Sequence, residues 1–164
     1  MKLLADGMLG SLAKWLRILG YDTLYFPNAD DDELARIARA EGRILLTRDE
    51  GLARRRGLKT LLIESEQLKE QLRQVIANVG PASGEPFSRC PLCNTPLQKV
   101  KKEAVRGRVP PYIFRTQEHF SLCPHCGKIF WRGTHWKRMR EEIAHLRNAD
   151  SPPAAAKADR LDLN

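Results

Sequence analysis

An α/β fold built on a parallel sheet, followed by a small cysteine-based module, is the fold class this sequence predicts. Three observations carry it. Over residues 1–80, short runs that are apolar throughout alternate with segments of helical periodicity, the pattern of strands buried on both faces of a parallel sheet. Residues 81–88 (Pro-Ala-Ser-Gly-Glu-Pro-Phe-Ser) have the composition of a linker. Beyond them the long apolar runs give way to two Cys-x-x-Cys pairs in a background dense in lysine and arginine.

Taken in order, Lys2 to Ala5 is too brief an apolar run for a helix and fits a buried strand. Asp6-Gly7 breaks it. Leu9, Leu12, Ala13, Leu16 and Leu19 then mark one helical face, widened by Trp15 and Ile18 and stopped at Gly20. Thr23 to Phe26 is a second strand, closed by Pro27-Asn28. Asp30-Asp31-Asp32-Glu33 leads into a second amphipathic helix that carries Leu34, Ile37 and Ala38 and ends at Gly42. Arg43 to Thr47 reads as a third buried strand and Thr60 to Ile63 as a fourth. Ser65 is expected to cap a third long helix with Leu68, Leu72, Val75, Ile76 and Val79, ending at Gly80-Pro81. The expected organisation is an α/β domain over 1–80, a linker over 81–88, a metal-binding ribbon over 89–147 with a basic helix from His135 to Arg147, and a disordered tail over 148–164.

The apolar runs reach only four or five residues, so no membrane span is expected. Asp6 interrupts the stretch a signal peptide would need, and a cytoplasmic protein is the expectation. The formal charge of +8 is unevenly placed. Residues 1–80 hold 13 basic and 12 acidic side chains, net +1, whereas residues 81–164 hold 15 and 8, net +7. The second half is the part that would attract a polyanion.

Cys90-Pro91-Leu92-Cys93-Asn94 and Cys123-Pro124-His125-Cys126-Gly127 are separated by 29 residues between the pairs. Each turn aims two thiolates at one point, and two such turns complete the tetrahedral sulfur shell that Zn²⁺ prefers. Asn94 and Gly127 follow the second cysteine of each pair, where the turn favours positive φ. The long gap predicts an elaborated hairpin between the turns. Two disulfides suit a cytoplasmic chain poorly, and matched turns argue against redox sites. Cys90, Cys93, Cys123 and Cys126 fill all four positions, so the zinc would be structural rather than catalytic. His119, His125, His135 and His145 are then surplus to the ligand set. Lys99, Lys101, Lys102, Arg106, Arg108 and Arg115 are interleaved with Tyr112, Phe114, Phe120, Phe130 and Trp131. Cations among rings suit single-stranded RNA or DNA, but a small ribbon could equally use those rings as its core. His135-Trp136 could pack on the ribbon or touch a nucleotide.

In a parallel sheet the strand C-terminal ends share one edge. Asp6 follows the first strand, the 30–32 acids open the helix after the second, and Asp49 follows the third by two residues. Carboxylates gathered there would repel unless a hard cation such as Mg²⁺ or Mn²⁺ lay among them, and such ions assist phosphodiester cleavage. Thr47 could hydrogen-bond a carboxylate or a metal-bound water. Helix capping explains Asp30 and Glu33 without catalysis, and Asp49 could be a turn residue. Arg54-Arg55-Arg56 could hold substrate phosphate or form a solvated charge run.

Several of these segments resemble the Mut-seven C-terminal RNase domain family: Asp6-Gly7-Met8-Leu9-Gly10, Trp15-Leu16-Arg17, Gly20-Tyr21-Asp22-Thr23, Asp30-Asp31-Asp32-Glu33-Leu34 and Leu46-Thr47-Arg48-Asp49. In the second half the resemblance continues through Cys90-Pro91-Leu92-Cys93-Asn94, Arg106-Gly107-Arg108-Val109-Pro110-Pro111 and Gly133-Thr134-His135-Trp136. It covers roughly residues 1–140 and implies a PIN-like nuclease fold joined to a zinc ribbon. It further implies Mg²⁺ or Mn²⁺ ligands at Asp6, Asp31 and Asp49, with Thr47-Arg48-Asp49 similar to the PIN-type Thr-x-Asp. Larger PIN nucleases present a fourth acid, for which Asp32 and Glu50 are the candidates here. The expected function is metal-dependent endonucleolytic cleavage of RNA, single strands favoured. Arg54, Arg55, Arg106, Arg108, Tyr112, His135 and Trp136 are the candidate nucleic-acid contacts. A non-catalytic RNA- or ribosome-binding adaptor and a pure protein-interaction module are the rival readings.

Overall fold

The structure, a computed structural model, describes residues 1–148 and comprises two compact units, residues 1–94 and residues 95 onward. Of the tail expected over 148–164, Asn148 is the last residue of a helix, and residues 149–164 lie outside the described residues.

The first unit runs β1 (Lys2–Ala5), α1 (Gly10–Ile18), β2 (Asp22–Tyr25), α2 (Asp31–Glu41), β3 (Ile44–Thr47), α3 (Glu50–Ala53), β4 (Thr60–Leu62) and α4 (Leu68–Val79). The four strands are parallel in the order β2-β1-β3-β4, with Leu3 opposite both Thr23 and Ile44 and Leu45 opposite Thr60. Leu3, Leu4, Ala5, Leu45 and Leu46 are wholly buried, so both faces of the central strands are covered and neither can alternate with polar residues. Leu4 and Leu45 join Leu34 and Ala38 of α2 and Leu52 of α3 in one core cluster. α1 packs on β1 and β2 and against α4.

The chain leaves β1 toward β2 and then returns to the other side of β1 for β3. The edge between β1 and β3 is therefore the topological switch point, where open α/β sheets bind ligands beyond their strand C-termini.

Asp30 caps α2, its carboxylate accepting from the Glu33 amide at 2.8 Å. Ser65 does not cap α4 as expected. Gln67 holds that position without a side-chain bond, and the Ser65 hydroxyl accepts from the Gln67 amide at 3.0 Å, shaping the approach turn instead. The four-residue α3, capped by Asp49, is too short to show periodicity.

Residues 81–94 form part of the first unit, which thus extends past the expected boundary at 80. The Phe87 amide donates to the Ile18 carbonyl at 2.7 Å. Gly20, at φ 98°, lies so close to the Gly84 carbonyl that no Cβ would fit. What reads as linker composition in the sequence serves tight backbone contact.

The second unit is an antiparallel sheet, β5 (Gln98–Val100), β6 (Phe120–Leu122) and β7 (Ile129–Trp131), in that order. A 3₁₀ turn (Lys102–Val105) and α5 (Pro111–Thr116) fill the long connection from β5 to β6, the elaborated hairpin expected there. Pro111 starts α5, where a missing amide costs nothing. α6 (Thr134–Asn148) is the expected basic helix. Val105, Val109 and Phe120 form the core, with Val100, Ile113, Phe114, Ile129 and Trp131 packed against it. Phe120 is thus a core residue, and Phe114 and Trp131 are partly buried rings packed on that core. No helix among the described residues is long and apolar enough to cross a membrane.

Candidate functional site

Cys90, Cys93, Cys123 and Cys126 have their sulfurs within 4.8 Å of one another. A tetrahedral Zn–S distance of about 2.3 Å corresponds to sulfurs about 3.8 Å apart, so the four are positioned to bind a metal. They are the one group of three or more potential ligands gathered in this way among the described residues, and no histidine joins them. The turns are built alike. The Asn94 amide donates to the Cys90 carbonyl and the Gly127 amide to the Cys123 carbonyl, each at 2.9 Å. Asn94 at φ 70° and Gly127 at φ 74° take the left-handed conformation expected of both. The Cys126 amide donates to Cys123 Sγ at 3.4 Å, a bond that steadies a thiolate.

The first turn is fastened to the sheet. Thr23 lies on the outer strand β2, with its amide and carbonyl facing away from β1. The amide donates to Asn94 Oδ1 at 2.9 Å, and the carbonyl accepts from Arg17 Nε at 2.8 Å. Arg17 Nη1 reaches the Pro91 and Leu92 carbonyls, both at 3.0 Å, and Asn94 Nδ2 donates to Asp22 Oδ1 at 2.8 Å. Arg43 Nη1 meets the same Asp22 oxygen at 2.8 Å. Burial acts to raise the Asp22 carboxyl. Hydrogen bonds from Arg43 and Asn94 and the charges of Arg43 and Arg89 outweigh it and hold the group below the usual carboxylate value. Burial lowers the Arg17 guanidinium, with Cys90 and Cys93 pulling the other way. Sequence reading singled out neither Arg17 nor Asp22 for this. The available signal was a cation one turn after Ala13, on the apolar arc of α1.

At the switch point, Asp6 is 6% exposed at the end of β1. Its Oδ1 accepts from the Met8 amide at 3.0 Å, and its Oδ2 accepts from the hydroxyl of Thr47, the last residue of β3. The same hydroxyl accepts from the Asp49 amide at 3.0 Å. Thr47 thus links the two acids, the bond foreseen for it. Asp49 Oδ1 caps α3 through the Leu52 amide at 2.9 Å. Asp31 is exposed at the first position of α2, after the strand on the other side of β1. All three acids follow C-terminal ends of neighbouring strands, but they are not drawn into one ligand group.

The candidate fourth acids are both ion-paired, Asp32 to Arg55 at 2.6 Å and Glu50 to Arg54 at 2.8 Å. The hydrogen bond that Arg55 donates to Asp32 raises the guanidinium above its usual value. In the second unit Arg106 and Arg108 are exposed, and Arg106 stacks 4.8 Å from the Phe114 ring. Tyr112 is 65% exposed and His135 is exposed. Arg132 and Arg140 approach the Trp136 ring at 5.1 and 5.4 Å.

The Mut7-C RNAse domain matches over residues 1–143. A human (Homo sapiens) protein described as "Exonuclease mut-7 homolog" is 34% identical over 103 residues, covering 57% of this chain and 12% of that protein. The chain thus spans a small part of that relative's length. No solved structure matches. With a match over most of its length, the chain belongs to the Mut7-C RNAse domain family.

Proposed function

We propose that the chain is a metal-dependent ribonuclease that cuts RNA internally. The observation that carries this reading is the linkage of Asp6 and Asp49 through buried Thr47 at the β1–β3 switch point. Family membership supports nuclease chemistry. Asp6 and Asp49, with Asp31, offer the all-oxygen donors that suit Mg²⁺ or Mn²⁺. Mg²⁺ is commonly held by one or two carboxylates plus substrate phosphate, so a preformed cage of three acids is not required. A divalent ion bound there supplies charge neutralisation at the phosphodiester and a water of lowered pKa. Thr47 keeps the Asp6 carboxylate oriented, and Arg54, Arg55, Arg106 and Arg108 attract the phosphate backbone. Tyr112, His135 and Trp136 are the proposed base contacts, which favour single strands.

For the cysteines we propose zinc, because an all-thiolate donor set selects soft and borderline ions over Mg²⁺. Four protein ligands leave no open position, so its part is structural.

Purified protein with Mn²⁺ should degrade linear and circular single-stranded RNA alike. Asp6→Asn with Asp49→Asn should abolish this and leave binding intact. Degradation confined to linear RNA would indicate an exonuclease, the activity in the human relative's name. The ion pairing of Asp32 and Glu50 favours a second reading, a non-catalytic RNA- or ribosome-binding adaptor. That reading predicts salt-sensitive RNA binding without cleavage under any divalent ion.

A further inference from the structure

Arg17 is 5% exposed, and a buried cation is costly unless an anion compensates it. Among the described residues no carboxylate forms an ion pair with it. Its hydrogen bonds go to three neutral carbonyls, of Thr23, Pro91 and Leu92. Two of those belong to the residues between Cys90 and Cys93, so the guanidinium sits against the backbone of the first cysteine turn. Four thiolates around a divalent ion leave a net charge of roughly −2, an anion placed against a guanidinium that no carboxylate pairs, since Asp22 nearby is taken by Arg43.

We infer that Arg17 is the built-in counter-charge and positioning residue of the four-cysteine metal centre. This rests on the metal reading of the cysteines. The two halves of the role are separable in principle: Nη1 holds the Pro91 and Leu92 carbonyls while Nε holds Thr23, which sets the turn, and the charge offsets the negative charge of the four-sulfur centre. Because Arg17 sits on α1 with Nε bound to the outer strand of the sheet, metal affinity and the packing of that helix are coupled. A surface lysine could give the charge but not this geometry, since the ammonium is a point donor without a planar fork.

The test measures the zinc affinity of the full chain by chelator competition at fixed pH. Arg17→Gln retains hydrogen-bonding capacity without charge, and Arg17→Lys retains charge without the fork. Val75→Ala, in the buried face of α4, reports how much affinity is lost through destabilised packing alone. Expected is a loss of about 10- to 100-fold for Arg17→Gln, the range typical of residues that support metal ligands, with a smaller loss for Arg17→Lys. Val75→Ala should retain wild-type affinity. Equal affinities for Gln, Lys and wild type would overturn the inference, as would an equal loss in Val75→Ala. If Arg17→Gln does not fold, Arg17→Met is set against Arg17→Lys with the same criterion. Wild-type chain that binds no zinc would overturn the metal reading and this inference together, whereas zinc-replete Arg17→Gln of wild-type affinity overturns this inference alone.

Discussion

Thr47 donates its hydroxyl hydrogen to Asp6 and accepts one from the Asp49 amide, so a single buried side chain sets how the two acids are presented. Thr47→Val keeps the shape and removes the donor. Losing a buried hydrogen bond to a charged acceptor costs about 1.5–3 kcal/mol. Urea denaturation should show a loss of that order, and RNA cleavage should fall about tenfold or more, while Thr47→Ser restores both.

Asp49 serves two ends, and substitutions separate them. Asp49→Ala removes the α3 cap and should cost about 1 kcal/mol. Asp49→Asn keeps an oxygen for the Leu52 amide, so it should retain stability while losing cleavage. Asp30→Ala should cost a similar amount in thermal unfolding, through the cap of α2, and leave cleavage unchanged.

Metal removal should strike the fold first. Elemental analysis should find about one zinc per chain. Stripping it with a strong chelator should lower the melting temperature and expose four reactive thiols. An unchanged melting temperature would show that the sulfurs hold nothing structural.

Asp22 gives a pH prediction with a definite sign. Its folded-state value lies below its unfolded one, so its contribution is present above the ordinary Asp value of about 3.9 and is lost as pH falls through the folded value. At neutral pH the wild type should exceed Asp22→Asn in denaturant stability. The gap should close progressively below about pH 4.

Arg106→Ala and Arg108→Ala should weaken RNA binding across sequences, each reducing the salt slope by about one. Filter binding at several salt concentrations would measure this, with a flat salt response counting against the assigned contacts.

The sheet was legible because its strands are apolar on both faces, and Leu3 to Ala5 and Leu45 to Leu46 can be read only that way. The cysteine turns were legible because a chelating pair is local. α3 and α5, with four and six residues, are shorter than the period that would reveal them. Ser65 was misread because a hydroxyl two residues ahead of the N-cap position can shape the approach as readily as cap the end. Arg17 was invisible in its role because its partners at Pro91 and Leu92 are more than seventy residues away, and no local pattern encodes them. The acids sit on the expected edge, and the cap at Asp30 follows from its spacing to Glu33, but capping at Asp49 and ion pairing at Asp32 and Glu50 depend on neighbours that spacing alone leaves open.

β2 borders the sheet, and an outer strand with bare amides and carbonyls recruits strands from other molecules. At Thr23 both groups are already taken, by Asn94 and Arg17. A fragment trimmed at residue 80 would shed Asn94 and leave that amide open. It should self-associate through β2 more readily than a fragment carried through residue 94.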